Sequence, residues 1–148
     1  MARNFGILLA AHGSLAKSAL ETLETLAGSQ QGVETVALFP DMGREELRAA
    51  MEEKLEALAA YKTVLIVADL VGGTPANVAS ELLAARPELQ LIGGANMTVL
   101  CEAAFADNLD GDAMAELLKA GGMSMQDLGA KVRGLSRDRP APPPEDDL

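Results

Sequence analysis

The fold is decided by residues 5–28, which have the sequence FGILLAAHGSLAKSALETLETLAG. The first seven residues form an unbroken run without charge, a pattern typical of a strand buried on both faces of a parallel sheet. His12 and Gly13 follow, then Ser14, a residue type that often caps helices. Apolar residues then recur at helical spacing as far as Gly28. The stretch therefore predicts a strand, a turn and an amphipathic helix, with the only histidine of the chain between strand and helix.

The same alternation of strand and helix continues along the chain. Apolar runs predict three further strands, at 35–39, 63–68 and 89–92. Apolar stripes predict two further helices, one at 47–58 and one from Thr74 to about Arg86. The side chain of Thr74 is expected to cap the second of these helices. Beyond Val99 the chain is predicted to be helical, with breaks near 107–111 and 121–122.

Strands that alternate with amphipathic helices predict an α/β fold. We expect a small, open, doubly wound sandwich of mainly parallel sheet, with helices on both faces. The common strand order for such a sheet is 2-1-3-4, and ligands bind beyond the carboxyl ends of the strands, where the order reverses. The functional residues are therefore expected just after the first and third strands.

Composition and charge limit the partners that the chain can have. Its 148 residues are 49% hydrophobic, which is enough for one domain, and we assign that domain to residues 1–136. The net charge of −10 repels nucleic acid and anionic lipid, and no apolar run is long enough to insert into a membrane. One cysteine and one histidine predict a reduced, cytoplasmic protein with no metal site and no cofactor. Residues 137–148, RDRPAPPPEDDL, predict a disordered, proline-rich acidic tail.

The candidate catalytic residues are His12 and Asp69, which directly follow the predicted first and third strands. With the order 2-1-3-4 these strands are neighbours, so the two side chains are expected in one crevice. A carboxylate that accepts a hydrogen bond from one ring nitrogen fixes the imidazole tautomer and leaves the other nitrogen as a nucleophile. The pair therefore meets the requirements of a histidine that accepts a phosphoryl group.

The loop LVGGTP, residues 70–75, predicts a phosphoryl-binding site beside this pair. Gly72 and Gly73 let the backbone approach an anion closely, and Thr74 adds a hydroxyl where the next helix begins. Gly13, at the start of the first helix, offers a second such position. A phosphoryl group could then be held without lysine or arginine. Each of these features alone also has a structural explanation. The alternative function is that of a module without catalytic activity, which binds an anion or regulates a partner.

Three segments together resemble the enzyme IIA component of the mannose-type sugar phosphotransferase system. They are ILLAAHGSLAKSALETLETLAG, VADLVGGTPANVAS and LIGGANMTVLCEAAF, and the resemblance covers roughly residues 5–106. It implies a phosphocarrier, a transferase whose histidine, here His12, receives a phosphoryl group from the protein HPr and passes it to enzyme IIB. It also implies that Asp69 orients the ring and that Thr74 lies near the phosphoryl group, with Gly73 in the same loop and Asn77 after the proline.

The resemblance carries further expectations about assembly. Enzyme IIB is expected on a separate chain, with the membrane components IIC and IID reached only indirectly. The family implies a homodimer that exchanges a strand, for which the weak β-like segment after Leu128 is the candidate. Leu70 and Val71 stand where the mannose branch has a hydroxyl residue and a tryptophan, so the transported sugar stays open. The alternative function with the same chemistry is that of a related IIA-like domain, which supplies phosphoryl groups to dihydroxyacetone kinase.

Overall fold

The computed structural model describes residues 2–138 and contains one four-stranded parallel sheet flanked by helices. The strands are β1 (Phe5–His12), β2 (Val33–Leu38), β3 (Thr63–Ala68) and β4 (Gln90–Gly93). The helices that alternate with them are α1 (Leu15–Ala27), α2 (Arg44–Ala57), α3 (Thr74–Ala85) and α4 (Met97–Phe105). Two more helices follow, α5 (Ala113–Met123) and α6 (Leu128–Asp138).

The strand order is β2-β1-β3-β4, which confirms the predicted α/β fold and its order. β1 lies between β2 and β3 in parallel register, with His12 opposite Leu38 and Ala10 opposite Ala68. The chain passes from β1 to β2 on one side and then returns past β1 to β3 and β4 on the other side, so the order reverses at β1. The carboxyl ends of β1 and β3 therefore meet at the point where this class of sheet binds its ligands.

Each face of the sheet is covered by its own apolar core. Ile7 and Leu9 of β1 face a core shared with α1 and α4, whereas Leu8 and Ala10 face a core shared with α2 and α3. Every residue of β1 except His12 is buried. Burial of a leucine or isoleucine side chain is worth about 1.5–3 kcal/mol, so the central strand is held firmly from both sides. His12 is the first residue of the strand to reach solvent.

Two helix starts differ from the sequence prediction in detail. Ser14 directly precedes α1, but its side chain makes no capping hydrogen bond. Gly73, not Thr74, is the residue that precedes α3, and Thr74 is the first residue inside the helix. Pro75 follows within the first turn, where its missing N–H leaves no intrahelical bond unmade.

Two predictions about the C-terminal part are wrong. The segment after Leu128, taken as a weak strand, is the helix α6, because Leu128, Val132 and Leu135 recur at helical spacing. The predicted break at 121–122 lies inside α5, where Gly121 faces α4. A Cβ on Gly121 would lie 2.2 Å from Cγ2 of Val99, so this glycine permits helix packing and does not end the helix.

The predicted tail lies almost wholly outside the described residues. α6 includes residues 137 and 138, and residues 139–148 lie beyond what the structure describes. Within the described chain, every helix is too short or too polar to cross a bilayer.

Candidate active site

His12 and Asp69 are brought together at the rim of the sheet by the ends of β1 and β3. Oδ2 of Asp69 accepts two hydrogen bonds from His12, one from the backbone amide and one from ring Nδ1, each 2.9 Å long. The Asp69 amide in turn donates to the carbonyl of Ala10 at 3.2 Å. The two strand ends are thus joined by both backbone and side-chain bonds, and the juxtaposition predicted from the sequence is present.

The two side chains differ sharply in exposure. The His12 side chain is 47% exposed and the Asp69 side chain only 9%. Burial by itself would raise the pKa of Asp69, but the hydrogen bonds from the His12 amide and ring, with attraction to the ring charge, outweigh it and lower that pKa. Asp69 is therefore held as a carboxylate beneath an accessible imidazole.

The hydrogen bond to Asp69 fixes the tautomer of the ring. A carboxylate only accepts hydrogen bonds, so Nδ1 of His12 must carry the proton that it donates. In the neutral ring Nε2 then has the lone pair. If a new bond forms at Nε2, the ring becomes cationic, and the carboxylate stabilises that positive charge.

Gly73 provides the space in which the imidazole lies. A Cβ on this residue would be 2.9 Å from Cε1 of His12 and 3.3 Å from the carbonyl oxygen of Leu70. The backbone of Gly73 has a negative φ, so close approach, and not an unusual dihedral angle, requires glycine here. The loop from Leu70 is closed by the Gly73 amide, which donates to Leu70 at 3.1 Å.

The amides of the candidate phosphoryl-binding residues are not equally available. The Gly13 amide donates to Leu38 at 2.8 Å, and the Gly73 amide is occupied by Leu70. Gly72, with φ +85, and Thr74, at the N-terminus of α3, are the members of the predicted set whose amides are not committed in this way. Anion binding at this loop thus stays a prediction that rests on Gly72 and Thr74.

Asn77 fixes the shape of this loop, a contribution that the sequence left unassigned. Its side-chain amide donates to the carbonyl of Gly72 at 3.3 Å, and its backbone amide donates to Gly73 at 3.0 Å. Both bonds fasten the Gly72–Gly73 turn to the first turn of α3.

Across the part of the chain described, Asp69 forms no ion pair with lysine or arginine, and no cluster of three or more metal-ligating side chains is present.

An apolar collar at the carboxyl ends of the strands, the edge of the sheet that carries His12, was missed by the sequence analysis. We use this name for Leu15, Phe39, Leu70 and Val71, which are 51%, 46%, 58% and 76% exposed. Beside them a groove of about 320 Å³ is lined by His12, Gly13, Leu38, Phe39, Pro40 and Met42. The signal was available, since each of these large apolar residues lies within three positions of the end of β1, β2 or β3. Exposed apolar side chains grouped at one edge of a fold indicate a contact surface.

The fold and this site define an open α/β protein with a histidine–carboxylate pair at its topological switch point. A sequence model of the EIIA-man family, described as PTS system fructose IIA component, matches residues 6–120. The chain therefore belongs to the EIIA-man family of the phosphotransferase system (PTS).

Curated relatives support the same family. The mannose-specific EIIAB component from Escherichia coli (strain K12) is 30% identical over 139 residues, which are 92% of this chain and 42% of that protein. The chain thus spans less than half the length of this relative. The fructose-specific EIIA component from Bacillus subtilis (strain 168) is 24% identical over 96 residues, covering 65% of this chain and 66% of that protein.

Solved structures share the fold. The IIA protein associated with the fucose utilization operon of Streptococcus pneumoniae superposes with a TM-score of 0.80 at 27% identity, covering 89% of this chain and 99% of that one. The mannose/sorbose-specific IIA subunit from Enterococcus faecalis gives a TM-score of 0.75 at 26% identity, covering 86% and 95%.

Substitution Gly73→Ala tests whether this glycine provides the space for the ring. The added methyl group would overlap Cε1 of His12, so the ring must move and the bond from Nδ1 to Asp69 should lengthen beyond 3.5 Å. A crystal structure of the variant measures that distance. Gly122→Ala is the matched control, because a Cβ there has no neighbour within 4 Å. An unchanged Nδ1–Oδ2 distance in Gly73→Ala would contradict the assignment.

The lowered pKa of Asp69 predicts a pH dependence of stability. A carboxyl whose pKa is lower in the folded state stabilises the fold above its unfolded value, and this contribution disappears as pH falls through the folded value. Below about pH 4 the free energy of unfolding of the wild type should therefore decrease relative to Asp69→Asn. Denaturant unfolding of both proteins from neutral to acidic pH measures this difference. Parallel curves would show that His12 does not lower the pKa of Asp69.

Proposed function

We propose that this protein is a cytoplasmic phosphocarrier of the phosphoenolpyruvate-dependent sugar phosphotransferase system. It accepts a phosphoryl group from the protein HPr on Nε2 of His12 and passes it to enzyme IIB, which phosphorylates the sugar during uptake. The observation that carries this proposal is the bond from Nδ1 to Asp69, because it leaves Nε2 with the lone pair on a ring that is 47% exposed. The similarity to mannose- and fructose-specific components supports it.

The transfer step follows from the state of the ring. The lone pair on Nε2 attacks phosphorus, and the bond between phosphorus and the donor atom of HPr breaks, with its electron pair staying on that atom. His12 then carries the phosphoryl group on Nε2 and keeps its proton on Nδ1, so the ring bears a positive charge that Asp69 stabilises. Transfer to the acceptor reverses these events. The neutral ring is restored with the same tautomer.

The position of Asp69 limits its repulsion of the phosphoryl group. The carboxylate contacts Nδ1, so the imidazole ring lies between it and the group on Nε2. In this proposal the uncommitted amides of Gly72 and Thr74, at the N-terminus of α3, contribute partial positive charge. In a chain of net charge −10, such local donors offset an unfavourable overall field.

The apolar collar supplies the docking surface for both protein partners in this proposal. A partner must bring its own reactive atom to Nε2, so its surface must cover the residues that surround His12. The exposed side chains there include Phe39, Leu70 and Val71, none of which carries a charge. Their contribution to the affinity for a partner should therefore depend little on salt concentration. Binding at the collar itself is therefore governed by apolar burial, while the acidic remainder of the surface favours basic partners.

We propose that the protein forms a homodimer, as the family resemblance implies. The exchanged strand expected from that resemblance has no counterpart among the described residues, because the segment after Leu128 is helical.

Phosphorylation by the upstream proteins tests the proposed function. Incubated with phosphoenolpyruvate, enzyme I and HPr, the wild type should acquire acid-labile phosphate, and His12→Ala should acquire none. Asp69→Asn should be labelled more slowly, because the ring loses the partner that fixes its tautomer. Radiolabel retained after electrophoresis measures the product. An unlabelled wild type, or label that persists in His12→Ala, would refute the proposal.

Substitution Val71→Asn tests the collar. The residue is 76% exposed, so the fold should tolerate the change, whereas an interface that buries this side chain should weaken. The KM for phosphorylated HPr should rise about tenfold with little change in kcat, since binding and not chemistry is altered. Leu26→Asn is the control, because this α1 residue is 62% exposed and lies outside the collar. An equal effect of both substitutions would remove the collar from the proposed interface.

A further inference from the structure

The turn that follows β3 lies between the ends of two neighbouring strands. β3 has β1 on one side and β4 on the other, and the turn at residues 70–73 comes next along the chain. On the β1 side, a Cβ on Gly73 would lie 2.9 Å from Cε1 of His12. On the β4 side, a Cβ on Gly93 would lie 2.8 Å from Cγ2 of Val71. The turn is therefore in close contact with both strand ends, and each contact requires a glycine.

Gly93 provides space for a neighbouring side chain. Its φ is not in the positive range, so the backbone at this position does not itself require glycine. The Cβ and Cα of Val71 would lie 3.8 and 3.9 Å from a Cβ on Gly93, which is ordinary van der Waals contact, so only the Cγ2 methyl group occupies the space. Valine carries two heavy atoms on Cβ and is stiff about χ1, so turning this methyl group away costs energy.

The end of β4 is the fixed side of this contact. Gly93 lies opposite Ala68 of β3 in the sheet. The amides of Gly94 and Ala95 both donate to the carbonyl of Ala68, at 2.9 and 3.1 Å. Val71, by contrast, is 76% exposed, so little packing holds it in place. A side chain added at Gly93 should therefore displace the turn and not the strand.

A turn displaced from β4 moves toward the imidazole of His12. The bonds from Asn77 to Gly72 and Gly73 fasten the turn to α3, so it does not lift freely away from the sheet. The ring fills the space on the β1 side, where Gly73 has no room even for one methyl group. The ring must then shift, and its 2.9 Å bond to Asp69 lengthens. A substitution at the end of β4 thus reaches the imidazole through the turn.

We propose that Gly93 is a positioning residue for His12. Its missing side chain provides the place for the Val71 methyl group, and this contact keeps the turn clear of the imidazole. This role lies outside the proposed function, but its consequence for phosphoryl transfer rests on that function. A misplacement of about 1 Å costs a reaction roughly 100-fold in rate, so a small displacement of the ring is sufficient for a measurable loss.

The NMR signal of Cε1–H in the sole histidine reports the position of the ring without any partner. In Gly93→Ala this signal should move from its wild-type position, because the added methyl group displaces the turn onto the ring. Gly93→Ala with Val71→Ala should restore it, since the remaining Cβ of residue 71 would lie 3.8 Å from the new methyl group. Gly122→Ala is the matched control and should leave the signal unchanged, because a Cβ there has no neighbour within 4 Å.

Phosphorylation kinetics connect the position of the ring to the reaction. With phosphorylated HPr as the donor, Gly93→Ala should lower kcat at least about tenfold, whereas Gly93→Ala with Val71→Ala should regain the wild-type kcat. Val71→Ala alone should raise KM, because this residue belongs to the collar and its loss weakens docking. Recovery of kcat while KM stays raised would therefore separate the positioning of the ring from the docking of the partner.

Three results would overturn the role of Gly93. They are an unchanged His12 signal or an unchanged kcat in Gly93→Ala, a double variant as altered as Gly93→Ala, and a shift of equal size in Gly122→Ala. The first would mean that Val71 rotates aside while the turn stays in place. The ring signal is measured without HPr or phosphate, so an unlabelled wild type refutes the phosphocarrier proposal alone and leaves this signal to decide the role of Gly93.

Discussion

The hydrogen bond from Nδ1 of His12 to Oδ2 of Asp69 is the interaction on which the site depends. It joins residues 57 positions apart in sequence, and it exists because β1 and β3 are neighbours whose carboxyl ends meet. Two buried cores hold those strands in place, so the pair does not rely on loop order. One bond thereby fixes the ring, its tautomer and the nitrogen that faces solvent, which is the preorganisation that a reversible carrier needs.

The net charge of −10 is the second constraint on the site. A phosphoryl group would be repelled by most of this surface, so its site must supply local compensation. In the proposed function this compensation comes from the ring charge and from the start of α3, since Asp69 pairs with no lysine or arginine among the described residues. The collar residues carry no charge, and in the proposed function they offer an apolar contact to protein partners. Acidity elsewhere on the surface then assists association with basic partners and does not disturb the reacting atoms.

The sequence predicted the features that depend on pattern, and it missed those that depend on contacts across the fold. The alternation of strands and helices predicted the fold class, and the common order of that class, which the structure has, predicted the pairing of His12 and Asp69. The close approach of Gly73 to the ring could not be read from a glycine pair, which is common in turns. The strand predicted after Leu128 failed because a short apolar segment with two glycines has weak preferences of either kind. The helical spacing of Leu128, Val132 and Leu135 was the signal that could have predicted α6.

The proton on the imidazole ring tests the central claim most directly, and the chain has only one histidine to observe. The ¹⁵N chemical shifts of the two ring nitrogens, measured above the pH at which the ring becomes neutral, report which one is protonated. We predict a protonated Nδ1 and an unprotonated Nε2, with this preference lost in Asp69→Asn. A proton on Nε2 in the wild type, or the same tautomer in both proteins, would contradict it.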